Sequence, residues 1–273
     1  MEITGKVALV LGGAKGIGKE IGFALARAGA QVILTYFDWP QETAGMKQEL
    51  AGLAGNHMAV KADLRKPLEV EDLLRQVREK YGRLHILINN IERGGMPVVH
   101  GPYTSEQWDL EMETTLKAKR WVFHHALPLL KAAGEGVVVN VSSIAGIVGR
   151  SGPAGYIFND GYAAANRAIS SFTETWAREA APEIRVNELM LGFFETRHAE
   201  KTRGWGLLTD EQKEAISAHA LLKRTGRLDD IVKAVFFLIR DADFMTASVI
   251  RLDGGYVAGG EIIPPMPPGL PDV

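Results

Sequence analysis

The chain has 273 residues, 46% of them hydrophobic and 23% charged, and a formal net charge of −2. This length suits one large α/β domain, and the near-neutral balance gives no electrostatic footprint for nucleic acid or an anionic membrane. There is no cysteine, which excludes disulfides, thiolate catalysis and cysteine metal sites, and no metal is expected.

Met1-Glu2-Ile3-Thr4-Gly5-Lys6 runs straight into the first apolar segment. That leaves no room for a signal peptide, and no apolar run approaches the ~20 residues of a membrane span. A cytoplasmic protein with neither nucleic-acid nor membrane partners is expected. Residues 7–11 predict the first strand. Gly12-Gly13-Ala14-Lys15-Gly16-Ile17-Gly18 follows, and then a helical pattern carrying Ile21 and Leu25 that stops at Gly29. A strand, a glycine turn and a helix N-terminus in that order suit a dinucleotide pyrophosphate. The helix start offers unpaired N–H groups and partial positive charge, and the glycines let the backbone approach the anion. Residues 31–36 supply the next strand and complete a βαβ unit. Tyr36 and Phe37 end it, where the ribose is read.

Further strand patterns fall at residues 57–61, 84–89, 136–141, 185–190 and 248–252, with helical patterns between them. Several are apolar on both faces, as in a doubly covered parallel sheet. The expected architecture is a Rossmann-type, doubly wound parallel α/β sheet in a single domain, residues 1–261. Residues 193–222, with His198 and Trp205, form a long excursion at the carboxyl edge and predict a substrate lid. Residues 262–273 are rich in proline and predict an extended tail. Its Ile262, Ile263, Met266 and Leu270 favour a place across a neighbouring subunit over a frayed end.

These segments together resemble the short-chain dehydrogenase/reductases over nearly the whole chain. Leu11-Gly12-x-x-x-Gly16-Ile17-Gly18 is similar to the family's Thr-Gly-x-x-x-Gly-Ile-Gly, with Leu in place of Thr. Asp63-Leu64 matches the acidic position used on the adenine ring. Val141-Ser142-Ser143-x-x-Gly146 matches the serine strand. Arg185-Val186-Asn187 with Gly192-x-x-x-Thr196 matches the segment that closes on the nicotinamide carboxamide, and Leu252-Asp253-Gly254-Gly255 matches the closing strand. The resemblance implies a nicotinamide cofactor and hydride transfer to or from a carbon bearing oxygen, on a small carbonyl or alcohol substrate. It implies Ser143 holding the substrate oxygen and Tyr162 as proton donor. It also implies a homo-tetramer or homo-dimer built on two long helices around residues 118–131 and 162–180.

The chain departs from the family in four places. Asn166 stands where the family has the lysine that binds ribose and lowers the tyrosine pKa. Thr115 stands where it has the catalytic asparagine. Asn89-Asn90-Ile91-Glu92 replaces Asn-Asn-Ala-Gly, which puts Asn90 in the cofactor set and Glu92 near the nicotinamide edge. Leu191 replaces the proline before Gly192. Phe172, Thr173, Ala177, Glu179 and Pro182 keep the helix in register and favour Tyr162 over Tyr156, which precedes the helix-start signal Asn159-Asp160-Gly161. Asn166 can still hydrogen-bond a ribose hydroxyl, yet it carries no charge to lower the pKa of Tyr162, so reduction should suffer less than alcohol oxidation. Lys119, one turn after Thr115, is either a solvated side chain or a compensating charge. The acid that would mark NAD is missing at Tyr36, and Lys15 resembles the basic residue of NADP-dependent members, while Asp38 argues the other way. NADP is expected, with NAD the alternative. Two functions compete: a reductase with weakened acid–base catalysis, and a non-catalytic dinucleotide-binding sensor or partner subunit.

Overall fold

The computed structural model of the protein describes residues 1–92, 103–194, 196, 205–261 and 263–264. Seven parallel strands, in the order β3-β2-β1-β4-β5-β6-β7, form one sheet among the described residues. They are β1 (Val7–Val10), β2 (Gln31–Tyr36), β3 (Met58–Lys61), β4 (Ile86–Asn89), β5 (Gly136–Ser143), β6 (Ile184–Leu191) and β7 (Val249–Leu252). The strand order reverses between β1 and β4, and the carboxyl ends flanking that point open the crevice where ligands of such sheets bind. β1, β4 and β5 are buried along their whole length, which is why they read as continuous apolar runs.

On one face lie α1 (Gly16–Arg27), α2 (Pro40–Ala51) and α9 (Leu228–Arg240), whose Ile21, Leu25, Met46, Val235 and Leu238 pack on Val10, Leu34 and Val139. On the other lie α3 (Pro67–Tyr81), α5 (Ala118–Ala133) and α7 (Asp160–Ala180), whose Leu73, Val122 and Trp176 cover Leu9, Leu87 and Val138. α4 (Ser105–Met112) starts at a capping box on Thr104, and a π-helical turn, Glu113–Lys117, joins it to α5. Such turns cluster at functional sites. α6 (Ala145–Val148) and α8 (Asp210–His219) complete the helices.

The seven expected strands are all present, with ends shifted by up to two residues. Leu11 falls just outside β1 because Gly12 turns at φ +69°, although the Leu11 N–H still reaches Ile88 O at 3.0 Å. Before α7 the chain makes a 3₁₀ turn, Gly152–Tyr156, after which the Asn159 side chain accepts the Tyr162 N–H at 2.9 Å and starts the helix. No described helix is long and apolar enough to cross a membrane. Of the expected lid, Glu195 and residues 197–204, His198 among them, lie outside the described residues. So do Ile262 and residues 265–273 of the tail.

Candidate active site

The glycine loop is held open by backbone packing. Gly13 N–H donates to Thr35 O at 2.7 Å and Gly12 N–H to Thr35 Oγ1 at 3.1 Å, tying the loop to β2. A Cβ on Gly18 would stand 2.3 Å from Gly12 O, so only glycine allows the loop to fold over the first turn of α1. Gly16, at φ +55°, begins that helix with nothing within 4 Å of its missing Cβ. The open space in front of an uncapped helix start is where a phosphate finds N–H donors and positive potential.

A cavity of about 270 Å³ runs from this loop along the carboxyl ends of β1–β4. Gly12, Lys15, Gly16, Ile17 and Gly18 line one end, Tyr36, Phe37, Asp63 and Leu64 the far side, and Asn90 and Thr196 the near side. Asn90 Nδ2 donates to Leu11 O at 3.2 Å, pinning the end of β4 to the loop. These residues fit the adenosine diphosphate part of a dinucleotide. At the far end Arg65 grips Asp63 through Nε at 2.7 Å and through its terminal nitrogen at 2.8 Å, which holds the Asp63 carboxyl below its ordinary pKa. Lys15 Nζ sits 3.0 Å from the centre of the Trp39 ring, and the Arg65 guanidinium lies 5.4 Å from that of Phe37.

A second, smaller cavity adjoins the first and is lined by Ser143, Tyr162, Gly192 and Thr196 with Phe158, Phe193, Phe194 and Trp205. Ser143 ends β5, and its Oγ accepts the Ala145 N–H at 3.1 Å. Tyr162, in the first turn of α7, is 2% exposed and lines this cavity with Ser143, whereas Tyr156 is 38% exposed and lines neither cavity. Tyr162 Oη also donates to Glu92 Oε2 at 3.0 Å. Glu92 lines both cavities and stands at their junction. Burial and the Glu92 charge raise the Tyr162 pKa well above its ordinary value, against the opposing pull of Ser143.

Asn166 and Thr115 take different places. Asn166 is fully buried and lines neither cavity; its Nδ2 turns back to Tyr162 O at 3.0 Å, and its buried Oδ1 has no hydrogen-bond partner. Thr115 sits in the π-helical turn and donates to Glu111 Oε1 at 2.5 Å. The buried Glu111 also accepts from Tyr103 Oη at 3.3 Å.

Lys119 is not solvated. It is fully buried, with Nζ donating to Val141 O at 2.6 Å, and burial pushes its pKa down to about 8 against the pull of Glu92, Glu188 and Glu111. Glu188, inside β6, is bonded by Ser142 and raised by burial. The sequence reading offered Lys119 as a solvated side chain or a compensating charge and passed over Glu111 and Glu188, along with Arg65 and Trp39. One signal was available: Glu111, Thr115 and Lys119 recur at helical spacing into the apolar stripe of Val122 and Ala126, where a lysine faces inward.

Residues 12–257 match the family described as enoyl-(acyl carrier protein) reductase. The chain is 31% identical over 261 residues to the 3-oxoacyl-[acyl-carrier-protein] reductase FabG of Thermotoga maritima, covering 94% of this chain and 100% of that protein. It is 30% identical to the D-beta-hydroxybutyrate dehydrogenase of Rhizobium meliloti, over 93% of this chain and 99% of the relative. The crystal structure of gox2181 superposes with a TM-score of 0.82 at 26% identity, covering 93% of this chain and 96% of that one. The sheet order, the glycine loop and the serine–tyrosine pair are those of a dinucleotide-dependent oxidoreductase. The chain belongs to the short-chain dehydrogenase/reductase family. It is an NAD(P)-dependent oxidoreductase of that family acting on a carbonyl group, and relatives named as enzymes that match more than nine-tenths of it do not favour the non-catalytic alternative.

Proposed function

We propose that the protein is an NADPH-preferring reductase of a compact, apolar carbonyl compound. The observation that carries this reading is that Ser143 and Tyr162 line one aromatic cavity that adjoins the dinucleotide cavity. The bound nicotinamide supplies the hydride. Ser143 Oγ orients the carbonyl oxygen, and Tyr162 Oη gives it a proton. The high pKa of Tyr162 keeps the phenol protonated at neutral pH, which suits a donor and handicaps a base. Asn166, buried outside both cavities, braces the first turn of α7 through Tyr162 O instead of reaching a ribose hydroxyl, and Thr115 supports the site by fixing Glu111. Phe158, Phe193 and Trp205 select an apolar, uncharged body. Trp205 on that wall supports residues 193–222 as a lid.

The preference for NADPH draws on Lys15 and Arg65, two cations beside the ribose end of the cavity that can accept a 2′-phosphate. Asp38, in the same wall, opposes it. The relatives named as a 3-oxoacyl reductase and a hydroxybutyrate dehydrogenase support a carbonyl–alcohol pair. We place the enzyme in the cytoplasm as a homo-tetramer or homo-dimer packed on α5 and α7, with the residue 262–273 tail across a neighbour; light scattering on a sizing column tests the assembly. A fluorescence titration with NADPH and NADH, followed by a panel of carbonyl compounds, tests the reaction. Tighter binding of NADPH and its oxidation by a compact alicyclic or aromatic ketone are expected. Tight binding with no oxidation by any member would sink the reductase reading.

A further inference from the structure

We infer that Glu92 is the proton-relay partner of Tyr162, passing protons between the Tyr162 hydroxyl and the water of the dinucleotide cavity. This rests on the reductase reading above. The geometry is direct: Glu92 Oε2 lies 3.0 Å from Tyr162 Oη, and the same side chain lines both cavities. The two positions where the family has its lysine and its catalytic asparagine are otherwise engaged. The Asn166 amide turns back on its own helix, and Thr115 is bonded to Glu111. The cation that remains, Lys119, donates to a backbone carbonyl of β5 and lies within electrostatic reach of Glu92 without a bond to the phenol.

In the reductive direction the carbonyl carbon gains the hydride that the reduced nicotinamide supplies, and the carbonyl oxygen takes the Tyr162 proton. The Tyr162 oxygen takes a proton from the Glu92 carboxyl as its O–H bond breaks, and water in the outer cavity restores the carboxyl proton. Alcohol oxidation runs the same transfers backwards. A phenolate beside a carboxylate at this distance is two like charges in one buried site, which cannot both persist. Reduction therefore requires Glu92 to carry a proton, and falls as pH rises through the apparent pKa of the pair. Among the described residues, the charged and titratable groups facing the pair are Glu111 from α4 and Lys119 from α5, with Glu188 of β6 next to Lys119.

Two readouts test this. A fluorinated tyrosine placed at position 162 titrates nearer neutrality and is followed by fluorine NMR in the cofactor-free protein. Glu92→Gln should lower its midpoint by roughly 1 to 3 pH units, because the neutral amide removes the repelling charge. An unchanged midpoint overturns the coupling, whether or not the enzyme turns over. With NADPH and a carbonyl that the wild type reduces, Glu92→Gln should lower kcat by ~10–100-fold and flatten the pH profile, with the NADPH Kd unchanged and Glu92→Asp recovering part of the rate. Glu92→Gly, which restores the family's small residue, should be slower than wild type. A faster Glu92→Gly enzyme shows the carboxylate to be an obstruction and overturns the relay. A shifted midpoint in a protein that reduces no carbonyl overturns the reductase reading while leaving the coupled pair intact.

Discussion

The two cavities share a wall and are built from different materials. The dinucleotide end is shaped by backbone: Gly12 and Gly18 pack through their missing side chains, Gly16 leaves a helix start bare, and two loop N–H groups tie it to Thr35 of β2, one to its carbonyl and one to its hydroxyl. The reaction end is shaped by polar side chains from different elements: the half-buried Glu92 after β4, and the buried Glu111 on α4, Lys119 on α5, Ser143 on β5, Tyr162 on α7 and Glu188 on β6. A site made from one continuous turn is robust, since its geometry follows from local φ/ψ. One assembled from distant charges depends on every element reaching its place, and each uncompensated charge in it is costly.

The largest test of the contrast lies at the reaction end. Tyr162→Phe removes one hydroxyl and should lower carbonyl reduction by ~10²–10⁴-fold in steady-state kinetics, while the NADPH Kd from fluorescence stays put. A fall in both would mean that the cavities are not separable. Lys119 gives the next effect, through stability. Its folded pKa of about 8 lies below the 10.5 of an unfolded lysine. Between those two values the unfolded chain holds the proton and the folded one does not, so stability contributed by this group rises with pH across that window. Below pH 8 both states hold it, and the full cost of burying the charge remains. The rise is on the order of 3 kcal/mol. Urea unfolding of wild type and Lys119→Met at several values from pH 7 to 10 should show it in the wild type only; parallel slopes would refute the buried cation.

How much of each end was readable follows from the same difference. The glycine loop, the strands at residues 7–11 and 31–36, Asp63 and Asn90 could be placed because strand–turn–helix order is local. Tyr162 could be chosen over Tyr156 because Asn159 is a capping residue three positions before it. Glu92 could be sited near the nicotinamide edge, yet its bond to a tyrosine 70 residues away depends on α7 crossing the end of β4. Lys119 read equally as solvated because the inward face of α5 is set by α3 and the sheet, and the π-helical turn before it rotates the stripe. Arg65 lay in plain view two residues after Asp63, in a span too short for periodicity to flag.

At the backbone-built end, Gly18→Ala should weaken dinucleotide binding by roughly 10–100-fold. A Cβ there meets Gly12 O at 2.3 Å and Asn90 Nδ2 at 2.8 Å, so the loop must shift, at a cost of ~1–3 kcal/mol. Gly45→Ala in α2, where the nearest atom is a flexible Glu49 oxygen at 4.0 Å, is the matched control and should leave NADPH affinity unchanged in the same titration. Equal affinities in the two variants would show that the loop absorbs a Cβ at Gly18 without moving.

Asn159 gives the smallest effect and joins the two kinds of construction. Its Oδ1 accepts the Tyr162 N–H at 2.9 Å, so one backbone cap fixes the turn that carries the Tyr162 phenol. Asn159→Ala removes the cap and should cost about 1 kcal/mol in urea unfolding. The same loss loosens the first turn of α7, so kcat should fall with little change in KM, because the phenol is needed for proton transfer more than for binding. Asn159→Asp caps equally well and places a negative charge at a helix start, where the macrodipole favours it. It should recover both stability and kcat. If Asn159→Asp recovers stability alone, the amide acts on Tyr162 through more than the cap; if Asn159→Ala leaves kcat untouched, the first turn of α7 is held by the packing of Phe158 and Phe193 rather than by its start signal.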